Sequence, residues 1–179
     1  FITKRVHRQL QEEFGIERGL ANATILDPAA GTGTFLLGAI DLIRTEFPAT
    51  DDWNEYVSQQ LLPRLHGIEI IPAASIAAQL NIAVKLADTG FEFQQPGRIR
   101  VELGNTLADN GSSILQSAIP NLHSPLVLLG NPPFSTLTTN TNDWIARLVR
   151  GDDHVRGYVR ANGQVLGERK TWLHDDYVK

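Results

Sequence analysis

Asn131, Pro132, Pro133 and Phe134 follow directly on the apolar run Leu126 to Leu129 and Gly130. Their types suit a rigid acceptor site for a planar amine. Two consecutive prolines fix φ and supply no N–H, so the turn is stiff and its carbonyls have no local donors to satisfy them. The side-chain oxygen of Asn131 and the main-chain carbonyl of Pro132 can together accept both hydrogens of an amino group, and Phe134 can stack on the ring that bears it. A nucleobase amine fits that description. A plain turn closing a core strand accounts for the same four residues, so their meaning depends on what accompanies them.

A second cluster stands early in the chain. Thr24-Ile25-Leu26 leads into Asp27-Pro28-Ala29-Ala30-Gly31-Thr32-Gly33-Thr34, and Phe35-Leu36-Leu37 then opens a helix reaching about Phe47. Strand, glycine loop and helix in that order make a nucleotide-type cofactor site. Gly31 and Gly33 allow a tight turn and close backbone approach, and the free N–H groups at a helix start favour an anionic group such as a carboxylate or phosphate. A nicotinamide-dinucleotide fingerprint requires a third glycine where Leu36 stands and an acid about 20 positions on, whereas Glu69 lies much further along. A dehydrogenase is therefore disfavoured. Glu69, near the end of the segment Leu65 to Ile70, offers paired acceptors matched to the two hydroxyls of a ribose, although an ordinary strand-end acid reads the same way. Asn105 carries a carboxamide that can both donate to and accept from an adenine edge.

The elements that must position these groups are legible as periodicity. Ile2, Val6, Leu10 and Phe14 recur every fourth residue and predict a first helix packed through that stripe, with Gly15 as its stop. Trp53, Tyr56, Val57 and Leu61 predict a helix broken by Pro63. Leu65 to Ile70 reads as the second strand. Pro72 opens a helix whose Ile76, Leu80 and Val84 form its inward stripe, ending near Asp88 with Gly90 beyond. Arg98 to Leu103 reads as a third strand. Leu126 to Leu129 has no polar side chain, as expected of an interior strand covered on both faces, and the prolines force the chain out of the sheet at Asn131. A short apolar segment surrounds Ile114 and Leu115. Asp143 to Val149, with Trp144, Ile145 and Leu148, reads as helical, and Arg150 to Lys179 has no clean period.

Composition narrows the classes. A chain of 179 residues, 42% of them hydrophobic, can bury the core of one domain. No apolar run approaches the roughly 20 residues of a membrane span, and the start lacks a signal-peptide stretch, so a cytoplasmic protein is expected. Zero cysteines exclude disulfides and thiolate metal sites, and the five histidines, scattered without ligand spacing, give no metal site. Zero methionines lead to the expectation of a piece of a longer chain. A net charge of −4 provides no basic signature, so any grip on nucleic acid must be local or lie elsewhere.

In their order along the chain, the glycine loop, the strand-end acid, Gly-Asn-Thr-Leu and Asn-Pro-Pro-Phe resemble the adenine-specific DNA methyltransferases that use S-adenosylmethionine, and most of all the methyltransferase part of type ISP restriction-modification enzymes. The resemblance covers nearly the whole chain. It is carried by DPAAGTGTFLL, LLPRLHGIEIIPAASIAAQLNIAVKL, LGNTL, GNPPFS and NTNDWIARL, with LGERKTWLHDDYVK similar to a further stretch of the same family. It implies a doubly wound, mostly parallel α/β sheet of the Rossmann-like class I methyltransferase type, with four strands in this chain. Residues 1–22 would form a preceding helix, 23–150 the cofactor-binding core and 151–179 a polar extension. The resemblance also implies S-adenosylmethionine over Asp27, Pro28, Ala29, Gly31, Thr32 and Gly33, with Asp27 near the methionyl end, Glu69 on the ribose, Ile70 beside the adenine, and Asn105 with Thr106 at its amine. Asn131, Pro132, Pro133 and Phe134 would be catalytic.

By the same resemblance DNA is reached through target-recognition regions outside this chain, nuclease and ATPase domains share the longer polypeptide, and the isolated fragment does not methylate DNA. Two departures stand out. Ala29-Ala30 replaces a pattern that often has cysteine, and Asn105 stands where most adenine methyltransferases carry aspartate. Asn-Pro-Pro-aromatic also occurs in enzymes that methylate a protein glutamine amide, and a cofactor-binding module without catalysis of its own remains a reading from a different class.

Overall fold

The computed structural model describes residues 1–93, 99–107 and 124–132, together with the backbone of two short strands further on. The chain divides into two compact units, Phe1–Thr106 with Ser113–Asn131, and Leu107–Ser112 with Pro132–Lys179. Among the described residues of the first unit are helices α1 (Ile2–Glu12), α2 (Thr34–Glu46), α3 (Trp53–Tyr56), α4 (Leu62–Arg64) and α5 (Pro72–Asp88), and strands β1 (Thr24–Asp27), β2 (Leu65–Glu69), β3 (Arg100–Leu103) and β4 (Leu126–Leu128). In the second unit β5 (Arg160–Ala161) and β6 (Gln164–Val165) pair antiparallel.

The four-stranded sheet is parallel throughout, in the order β3-β2-β1-β4. The chain winds outward from β1 through β2 to β3 and then returns to the other side of β1, so the order reverses between β1 and β4. Ligands of doubly wound sheets bind outside the carboxyl ends of the strands at such a reversal. The two central strands are buried at every position, as parallel strands covered on both faces must be.

β4 differs from its expectation. Val127 and Leu129 are buried, but Leu126 is 42% and Leu128 65% exposed. Side chains alternate across a strand, and among the described residues β4 has a strand partner on its β1 side and cover on one face.

The helices correct two further expectations. On α1 the buried residues are His7 and Leu10, while Ile2 is half exposed and Phe14 lies beyond the helix at 71% exposure. His7 is held by two polar contacts, its Nδ1 accepting from Leu20 N–H at 3.4 Å and its Nε2 lying 2.8 Å from Glu46 Oε2 on α2. Gly15, at φ +66°, turns the chain so that Ile16 N–H reaches the Leu10 carbonyl at 2.8 Å. On α5 the inward residues are Ser75, Ala78, Ile82 and Leu86, leaving Ile76, Leu80 and Val84 exposed. Small residues let α5 lie close to the sheet, where Ser75 Oγ donates to the Val101 carbonyl at 3.1 Å. As expected, the helical run ends just past Pro63, at Arg64, before β2 begins at Leu65. A π-helical stretch, Val57–Leu61, separates α3 from α4, and Leu62 N–H bonds five residues back to Val57. The wider turn precedes a proline whose ring would crowd the carbonyl four residues earlier in a regular α-helix.

The expected helix at Asp143 to Val149 and the segment around Ile114 lie outside the described residues.

Candidate functional site

β1 ends at Asp27, and the loop from Pro28 to Gly33 fills the space between the ends of β1 and β2. Three contacts shape it. Asp27 Oδ1 accepts from Ala29 N–H at 3.1 Å, Ala30 N–H donates to the Ile68 carbonyl at 2.9 Å, and Gly33 N–H returns to the Ala30 carbonyl at 2.7 Å. Both glycines take left-handed backbone, Gly31 at φ +54° and Gly33 at +90°, which side-chain-bearing residues rarely adopt. Gly33 is the N-cap of α2. It also sits close over α5, since a Cβ at 33 would lie 3.4 Å from the Ala78 Cβ. At Gly31 the corresponding space is open, with nothing within 4 Å. The loop is therefore open on its Cβ side at 31 and packed against its own helix layer at 33.

Glu69, last in β2, is 7% exposed. Its Oε2 accepts from Gly31 N–H at 2.7 Å and its Oε1 from Ile71 N–H at 2.8 Å. Ile70 is 55% exposed beside it. After β3, Gly104 N–H donates to the Glu69 carbonyl at 2.9 Å, Asn105 is exposed, and Thr106 Oγ1 donates to the Pro28 carbonyl at 3.2 Å. The ends of β1, β2 and β3 are thus tied together around the loop.

On the other side of β1 the ladder continues past β4, with Leu129 N–H donating to the Leu26 carbonyl at 2.9 Å. This pairing brings Gly130 against Asp27 and leaves Asn131 exposed at the end of the first unit. Pro132 opens the second unit, and Pro133 and Phe134 lie outside the described residues.

Two titrating groups lie under the site. Asp27 is 1% exposed, and its Oδ2 has no hydrogen-bond partner among the described residues. Burial pushes its carboxyl up to about 6, the Ala29 N–H pulls the other way, and the Glu69 charge adds to the rise. His66, in β2 and 2% exposed, is lowered to about 4 by burial first and by the Arg100 charge second.

Several positioning residues escape a reading of the sequence. Asn81 on α5 donates from Nδ2 to the Thr32 carbonyl at 3.0 Å, and nothing in its spacing announces that. Gly67 and Gly130 did carry a signal. A glycine inside or just beyond a strand marks close approach, and a Cβ at 67 would lie 3.1 Å from both Ala30 Cβ and Leu36 Cδ1.

A parallel sheet with its order reversed beside β1, a glycine loop after β1 and an acid ending β2 defines a doubly wound Rossmann-like α/β domain. The family described as N-6 DNA Methylase matches residues 15–154, well over half of the chain, and the chain belongs to it. Over 113 residues it is 30% identical to the methylase subunit of the type I restriction enzyme StySPI of Salmonella potsdam, a match spanning 63% of this chain and 19% of that subunit. Among solved structures it resembles the ATP-dependent type ISP restriction-modification enzyme LlaBIII bound to DNA, with a TM-score of 0.72 at 21% identity over 99% of this chain and 12% of that one. It also resembles DrdV in a DNA complex, with a TM-score of 0.62 at 27% identity over 84% of this chain and 15% of that one. The chain spans about a fifth of the length of the matched subunit and less of the two structures. No helix among the described residues is long and apolar enough to cross a membrane.

Proposed function

We propose that this chain is the cofactor-binding and catalytic part of an enzyme that moves a methyl group from S-adenosylmethionine to the exocyclic amine of adenine in DNA, as the modification part of a restriction-modification enzyme. The observation that carries this reading is the register of β1 against β4, which puts the glycine loop and the Asn131 turn at the carboxyl ends of neighbouring strands.

The residues present suit the cofactor. An orphaned, buried Asp27 oxygen matches a positively charged ligand group, and the open space at Gly31 admits close approach to the loop. In this reading Asp27, Pro28, Ala29, Gly31, Thr32 and Gly33 form the cradle, Glu69 takes the ribose hydroxyls, exposed Ile70 flanks the adenine ring, and Asn105 and Thr106 stand at its amine edge. When bound, S-adenosylmethionine supplies a methyl group on a positively charged sulfur.

Asn131 and Pro132 act on the acceptor. The amine of adenine is a weak nucleophile because its lone pair is delocalised into the ring. Accepting both hydrogens at Asn131 Oδ1 and the Pro132 carbonyl favours a pyramidal nitrogen and localises that pair. The target base leaves the duplex at a cost of a few kcal/mol, partly offset by stacking on Phe134, with Pro133 keeping the turn stiff. Nothing in the step needs a covalent intermediate or a strong base, since the proton leaves after transfer. DNA contacts come from regions outside this chain, alongside nuclease and ATPase domains in the same polypeptide.

Methyl transfer from labelled S-adenosylmethionine by the full-length protein, offered duplex DNA and a glutamine-containing protein substrate in parallel, tests the reading. Label in adenine of DNA is expected. Label in protein alone would move the assignment to amide methylation, and cofactor binding without turnover on either would leave a binding module.

A further inference from the structure

We infer that Glu69 is a positioning residue for the glycine loop, so that the carboxylate proposed to recognise the ribose also sets the shape of the cradle over which the ligand lies. The inference rests on the cofactor reading above for the identity of the ligand, and on geometry for the clamp.

Gly31 holds a left-handed φ of +54° with open space on its Cβ side, so no packing there fixes the turn. Its N–H is fixed by Glu69 Oε2 at 2.7 Å, and the other oxygen of the same carboxylate is fixed by Ile71 N–H at 2.8 Å. Glu69 is itself anchored on both its side chain and its backbone. It is 7% exposed, and its own carbonyl accepts from Gly104 N–H at 2.9 Å. The carboxylate therefore bridges the start of α5 and the crown of the loop. An ionised carboxylate has about four acceptor sites, two per oxygen. The two backbone N–H groups occupy one on each oxygen and leave one on each for a pair of hydroxyls. Ribose recognition and loop shape then share one group, and removing it should weaken ligands that have no ribose hydroxyls at all.

The test uses full-length protein, Glu69→Ala and Glu69→Gln, with folding checked by thermal melting. Glu69→Gln keeps the volume but offers a single neutral acceptor oxygen, and it serves if the alanine variant does not fold. Without cofactor, hydrogen exchange followed on overlapping peptides should show the Gly31 amide exchanging at least about tenfold faster in Glu69→Ala, and at least one of the Gly31 and Ile71 amides doing so in Glu69→Gln, whose single acceptor oxygen can hold only one of them. The Ala30 amide, bonded to Ile68, should stay unchanged. In calorimetric titration, the 2′,3′-dideoxy analogue of S-adenosylmethionine should bind Glu69→Ala about tenfold more weakly than it binds wild type. Unchanged exchange at Gly31 in Glu69→Ala, or at both Gly31 and Ile71 in Glu69→Gln, overturns the clamp. Equal affinity of the dideoxy analogue for wild type and Glu69→Ala, with the parent cofactor weakened, also overturns it and leaves Glu69 a ribose ligand alone. Wild-type protein that binds neither compound sinks the cofactor reading instead, and the exchange measurement still decides the clamp.

Discussion

Gly130 and Asp27 are in contact so close that position 130 has no room for a side chain: a Cβ there would lie 2.5 Å from Asp27 Oδ1 and 3.3 Å from its Cγ. The glycine loop and the Asn131 turn are thus linked by a buried carboxyl on one strand end and bare backbone on the next.

Gly130→Ala should therefore cost about 1 to 3 kcal/mol of stability by overpacking. It should lower single-turnover methyl transfer by about 100-fold through displacement of Asn131. Chemical unfolding and rapid-quench kinetics on the full-length protein read the two effects. The double variant with Asp27→Ser should regain more than half of the stability, because the clash is pairwise. A Gly130→Ala protein as stable and as fast as wild type would mean that the two strand ends are not coupled.

Asn131→Ala should lower methyl transfer by about 100-fold or more with cofactor affinity nearly intact, as expected for loss of one preorganised polar partner of the reacting amine. Single-turnover rates alongside calorimetric dissociation constants separate the two. Near wild-type rates would remove Asn131 from the chemistry.

Asp27 and His66 should give opposite pH dependences. Asp27 holds its proton more tightly in the folded state, so its contribution to stability is full below about pH 3.8 and is lost as pH rises through about 6. His66 holds its proton less tightly when folded, so its contribution is full above pH 6.5 and is lost as pH falls through about 4. Relative to wild type, Asp27→Asn should gain stability between pH 4.5 and 6.5, and His66→Gln should lose it over the same interval. Urea unfolding at the two pH values checks the signs, and parallel profiles in all three proteins would refute both shifts.

The inward face of α5 can be tested by a pair of substitutions. Leu80 is 63% exposed and Ile82 is 1% exposed. Leu80→Gln should leave the melting temperature unchanged, whereas Ile82→Ala should cost about 2 to 4 kcal/mol. The reverse ranking would restore the Ile76, Leu80, Val84 stripe as the buried one.

That stripe marks where the sequence ceased to be legible. The strand of Thr24 to Asp27, the glycine loop, the strand ending at Glu69 and the start of α5 at Pro72 are all local signals, and the chain folds as they indicate. Which face of α5 is buried is decided by its neighbours. Two apolar stripes compete along it, and the one containing Ser75 and Ala78 wins because small residues allow close approach to the sheet and to Gly33. The same limit hid the exposed faces of Leu126 and Leu128, since an apolar run names a strand but not its cover. Around the loop, the type of Glu69 was readable as an acceptor. Its bonds to Gly31 and Ile71 depend on where two distant backbones meet, and no spacing encodes that. Pro133 and Phe134 lie outside the described residues, so the part of the turn that would meet a base rests on the sequence alone.

The pairing of β1 with both its neighbours sets an order of events in folding. Ile25 meets Leu65 on one side, 40 residues away, and Val127 on the other, 102 residues away. Closing the longer loop costs about 0.8 kcal/mol more in chain entropy, and among the described residues β4 has a strand on one side, where β1 has two. Amides of β1 and β2 should accordingly gain protection in pulse-labelled refolding before that of Leu129, which bonds to Leu26. A nascent chain would then hold a shaped glycine loop while the strand bearing Asn131 is still unattached, and a ligand of that loop, the S-adenosylmethionine proposed for it included, would act at that stage as a folding ligand for one side of β1 before the other side is paired.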